Sequence, residues 1–93
     1  MNPASVENLG LTAHAQARAQ ARAIPQIIVE LLMNFGTSEP APGGVERIFF
    51  DSRSRRDVRS IMGGKRGVRT VERWFNTCAI VGDQGRIVTL YRD

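Results

Sequence analysis

The clearest pattern in the chain runs from Ile24 to Phe35. Ile24, Ile27, Ile28, Leu31, Leu32 and Phe35 recur at helical spacing. That spacing predicts an amphipathic helix with one apolar stripe in a core. Pro25 suits the first helical position, Gly36 suits a C-terminal stop, and Met33 reads as packing. Just upstream, TAHAQARAQARAIPQ over residues 12–26 alternates alanine with polar residues, a strand-like rhythm. Alanine, however, is the best helix former and a poor strand former. Wrapped at about 100° per residue, the alternation resolves into stripes. Ala13, Ala17 and Ala21 form one, and His14, Arg18 and Arg22 the next. Ala15, Ala19 and Ala23 form a third, and Gln16 and Gln20 close the circle. This predicts a helix capped by Thr12 and clamped on two thin alanine faces, with one polar stripe in a cleft and the other in water. The helix should end at Ile24-Pro25, because a residue before proline avoids the helical region.

Downstream, TSEPAPGG at 37–44 reads as a loop and VERIFF at 45–50 as a strand. Ser54, with Asp57 as an unusual capping-box partner, should open a short helix that ends at Gly63-Gly64. KRGVRT reads as a loop. VERWFNTCAIV at 71–81 reads as a long strand with Trp74 and Phe75 on opposite faces. DQG at 83–85 is a hairpin turn with Gly85 left-handed, and RIVTLYR at 86–92 returns antiparallel. The fold class is α+β: two N-terminal helices packed on a small antiparallel sheet of about three strands, with a short third helix between strands one and two. Residues 1–11 are expected to be a flexible leader and 12–93 a single domain.

With 93 residues the chain can bury one modest core. Thirteen Lys and Arg oppose nine Asp and Glu, for a formal charge of +4, and every cation except Lys65 is arginine. A planar fork of donors suits phosphate and carboxylate, so the bias points to an anionic partner. The densest basic region comprises Arg53, Arg55, Arg56, Arg59, Lys65, Arg66, Arg69 and Arg73, opposed inside it only by Asp57 and Glu72. Such a band could follow a phosphate backbone, whereas the patterns of base-specific readers are absent. Cys78 is alone, which excludes an internal disulfide, and it reads as a small core residue. One His and one Cys do not make a zinc site of the usual kind, so no metal or cofactor is expected. No run approaches the roughly 20 apolar residues of a membrane span and no signal-peptide pattern is visible, so the expected location is cytoplasmic.

His14 is the residue whose ordinary pKa suits proton transfer near neutrality. A metal-independent ribonuclease needs a base, an acid and cations for the phosphate. His14 could be base or acid, Arg18, Arg22 and Arg92 could hold phosphate, and Thr89 or Tyr91 could donate or orient a proton. The alternative is a helix-face histidine bonded to the sheet with two solvated arginines.

The motif order adds a resemblance. Thr12-Ala13-His14-Ala15 with Arg18, then Arg22-Ala23-Ile24-Pro25, resembles the H-A-x-x-R and R-G-I-P opening of small bacterial domains of unknown function. Phe50 with Ser54-Arg55-Arg56 fits the middle. Asp83 to Arg92 resembles the D-G-x-V-I-T-V-x-R close. Those domains are distantly similar to RelE-type and BrnT-type toxins. The resemblance implies two helices against an antiparallel sheet and a metal-independent RNA-cleaving site of basic and hydroxyl residues. Ala23 departs from the usual Gly, and Tyr91 stands where relatives carry His. Two functions therefore compete: a toxin-type ribonuclease, and a non-catalytic module using its arginines for nucleic acid or an acidic antitoxin-like protein. A monomer or a homodimer fits either, and a third option is a structural dimer paired through an exposed strand edge.

Overall fold

Thr12 opens the first helix, its hydroxyl accepting the Ala15 N–H at 3.1 Å. The structure, a computed structural model, describes residues 10–93. Its elements are α1 (Ala13–Ala21), α2 (Gln26–Phe35), β1 (Thr37–Ala41), β2 (Val45–Phe49), α3 (Ser52–Ile61), α4 (Lys65–Val68), β3 (Thr77–Val81) and β4 (Ile87–Arg92). Short 3-10 turns lie at Glu72–Trp74 and Asp83–Gly85. The four strands form one antiparallel sheet in the order β1-β2-β3-β4.

The α+β class holds, and the alanine alternation is indeed a helix. Only one alanine face is covered, however. Ala15 is fully buried and Ala19 packs against the core, whereas Ala13, Ala17 and Ala21 are exposed. A side chain this small lets α1 lie close along β4. The predicted second clamp is absent because α1 lies at the sheet's edge. The helix α2 matches its stripe: Ile28, Val29, Leu31 and Leu32 are buried, and Ile27 is exposed. Pro25 is the N-cap rather than the first helical residue. Gly36 follows for a reason of space. A Cβ there would run into the Leu32 carbonyl and sit 2.7 Å from Ile48 Cγ2.

Four further expectations change. TSEPA is a strand, not a loop, so the sheet has four strands rather than three. It carries no apolar alternation because it is an edge strand, where Pro40 needs no ladder donor. The helix at 52–61 begins two residues early, since Asp51 rather than Ser54 caps it. KRGV is a helical turn, α4. The strand expected over 71–81 is confined to Thr77–Val81. Val68, Val71 and Trp74 are all buried, a three-residue spacing that suits helical turns and not a pleat. Trp74 and Phe75 therefore do not project from opposite faces of a strand. The leader expected over 1–11 falls outside the described residues as far as residue 9. Its last residues are tied in: Ile87 donates to Gly10, Thr12 donates to the Ile87 carbonyl, and Leu11 is buried.

The core lies on one face of the sheet, where Ile48, Ala79 and Leu90 in register meet α1, α2 and Val58 of α3. Arg92 pairs with Thr77 and shares that face by alternation. The second face carries Arg47, Phe49, Cys78, Ile80, Thr89 and Tyr91, none of which belongs to the core cluster.

Candidate nucleic-acid interface

The Asp51 side chain fixes the start of α3. It accepts the Ser54 N–H at 2.8 Å and the Ser54 hydroxyl at 3.0 Å. These bonds, the backbone one first, hold its carboxyl down at about 2. Its cap gives α3 a defined start and so fixes which residues face out. Val58 and Ser54 turn in, and Arg53, Arg55, Arg56 and Arg59 turn out. Gly63 and Gly64 then take φ of 90° and 94°, a region open to glycine, and reverse the chain. The reversal brings α4 back against α3.

All the cations expected to form a basic band are exposed: Arg53, Arg55, Arg56, Arg59, Lys65, Arg66, Arg69 and Arg73. They differ in what they already hold. Arg53 pairs with Asp57 at 3.1 Å and donates to Thr37. Arg55 donates from Nε to the Phe50 carbonyl and lies 5.5 Å above the Phe75 ring. Arg73 lies 5.2 Å from the Trp74 ring centre. Arg56, Arg59, Lys65, Arg66 and Arg69 form no salt bridge among the described residues. Arg59, Lys65 and Arg69 converge on a cleft of about 400 Å³, closed by Val68 and Glu72.

The residues expected to form a catalytic set share no hydrogen bond or salt bridge with one another among the described residues. His14 and Arg18 on α1 and Arg22 at its C-cap are exposed and join no salt bridge among the described residues. Thr89 and Tyr91 project from the sheet face away from the core. Arg92 projects from the other face, donating to Asn76 Oδ1 at 3.0 Å and to the Arg73 carbonyl at 2.8 Å, 4.5 Å from the Trp74 ring centre. Alternation along β4 separates Arg92 from Tyr91.

Tyr91 serves a different residue. Arg47 donates from Nε to the Tyr91 hydroxyl at 3.0 Å and pairs with Glu39 at 3.0 Å and Asp93 at 3.3 Å. Its guanidinium also covers the Phe49 ring at 4.5 Å. The Tyr91 bond, foremost, holds Arg47 firmly protonated. Beneath lies the Cys78 thiol, buried as expected but on this second face, where burial pushes its pKa up. The sequence signal for Arg47 was its place next to Ile48 in the strand expected at 45–50, since neighbours on a strand project from opposite faces. Glu39 and Asp93 had no comparable signal.

A groove of about 380 Å³ lies between α1 and the start of α2. Leu11, Ala19, Ile24 and Val29 line it with the amides of Gln16, Gln20 and Gln26. It carries no charge and so offers an anion nothing. Among the described residues no cluster of His, Cys, Asp and Glu could hold a metal, and no helix is long and apolar enough to cross a membrane. No protein-family model matches the chain, and no curated protein and no solved structure matches it either.

Proposed function

We propose that this protein is a cytoplasmic nucleic-acid-binding module that grips the phosphate backbone through α3 and α4, without cleaving it. One observation carries this. Arg56, Arg59, Lys65, Arg66 and Arg69 are exposed, unpaired among the described residues, and held on one helix–turn–helix segment. Their charge is available to a ligand, whereas Arg47 spends its charge on Glu39 and Asp93. The toxin-type ribonuclease needs a base, an acid and phosphate cations in one place. His14 on α1 and Tyr91 and Arg92 on two sheet faces favour binding over cleavage.

The test is binding of labelled RNA at low salt, by wild type, His14→Ala and the pair Arg59→Glu with Arg69→Glu. The expected outcome is unchanged binding by His14→Ala, loss by the charge-reversed pair, and intact RNA after incubation in EDTA. RNA cleaved by wild type and spared by His14→Ala restores the ribonuclease. Absence of RNA binding, with retention of an acidic protein on the same surface, transfers the role to an antitoxin-like partner.

A further inference from the structure

The aromatic side chains beside the basic band decide what kind of nucleic acid it suits. A protein that reads unpaired strands needs ring faces on which bases stack. Here the rings are already in use. Trp74 is 9% exposed and has the guanidinium carbons of Arg92 and Arg73 at 4.5 and 5.2 Å from its ring centre. Phe75 has Arg55 at 5.5 Å and packs against Phe50 with centroids 5.2 Å apart. Phe49 is covered by Arg47, on a face that also carries the Glu39 and Asp93 carboxylates. Moreover Arg92 is held in place by bonds to Asn76 and the Arg73 carbonyl. Opening a ring to a base would break these contacts.

Resting on the proposed binding role, we infer that the ligand is the backbone of double-stranded nucleic acid, held by phosphate contacts with no base stacking. The free cations of α3, α4 and the α4 C-cap offer charge and N–H donors but no ring face. Duplexes carry about one phosphate charge per 1.7 Å of axis, so a surface that supplies charge alone favours them over single strands.

The sole tryptophan makes the test direct. The intact protein is titrated with poly(A)·poly(U) duplex and with poly(U) single strand, following anisotropy of a labelled tracer and Trp74 emission. The expected result is duplex binding tighter by on the order of tenfold, with Trp74 emission unchanged. Equal or tighter binding of poly(U), or quenched emission on binding, overturns the inference and leaves the binding role standing. If neither polymer binds, the binding role itself falls and this inference with it. Folding of the protein is monitored by circular dichroism in the same samples.

Discussion

At the scale of single residues, the tension is local and measurable. Ala23 joins α1 to α2 with φ of 54°, a left-handed position that costs a side chain. Glycine relieves that cost but adds freedom to the unfolded chain. Ala23→Gly is therefore expected to raise stability by about 0.5–1 kcal/mol in urea unfolding, the strain term being the larger. Thr77 is fully buried and its hydroxyl has no hydrogen-bond partner among the described residues. Thr77→Val removes an unmet hydroxyl at equal shape, and should gain about 1 kcal/mol in the same measurement. Asp51 sets an acid limit. Its carboxyl lies at about 2 in the fold against the ordinary 3.8, first through the Ser54 backbone bond. The group binds fewer protons folded than unfolded, so its contribution is complete above 3.8 and lost as pH falls through about 2. Asp51→Asn keeps a cap but cannot titrate, and thermal melts across that window should show a flatter acid limb.

At the scale of elements, close approach and chain reversal do the positioning. Where α2 hands over to β1, Gly36 lets the backbone pass against Leu32 and Ile48. Gly36→Ala should cost about 1–3 kcal/mol, because the obstructing atom is backbone and cannot rotate away. Differential scanning calorimetry would show the loss as a lowered midpoint, while far-UV circular dichroism shows unchanged helix content. On the α3–α4 segment, charge is the variable. If each free cation meets one phosphate, removing Arg59 and Arg69 together should shrink the slope of log affinity against log salt by about two. A slope unchanged by that pair would place the anion elsewhere.

At the scale of the whole molecule, the charge of +4 is distributed unevenly. The sheet face sets two carboxylates, Glu39 and Asp93, against the Arg47 guanidinium, and the groove between α1 and α2 is uncharged. The α3–α4 side carries more cations than carboxylates: Asp57 pairs with Arg53, Glu72 lines the cleft, and Arg56, Arg59, Lys65, Arg66 and Arg69 form no salt bridge among the described residues. Association with a polyanion should therefore weaken steeply with salt yet be insensitive to Arg18→Ala and Arg22→Ala. Anisotropy at two salt concentrations checks both statements.

The sequence by itself determined the elements whose signal is local. The stripe from Ile24 to Phe35 specified α2, alanine propensity outweighed an apparent strand rhythm in α1, and the apolar segments at 45–50 and 86–92 were strands. It also located the cations, since charge and proximity along the chain need no fold to be seen. Tertiary structure decided the rest. The edge strand Thr37–Ala41 exists because β2 offers it hydrogen bonds, and nothing in TSEPA announces that. Val71 and Trp74 left the expected strand because their three-residue spacing buries them together in a turn. Tertiary structure also set the surroundings of the residues expected at the site. Neighbours along a strand point to opposite faces, so Tyr91 and Arg92, adjacent in the chain, meet different surroundings.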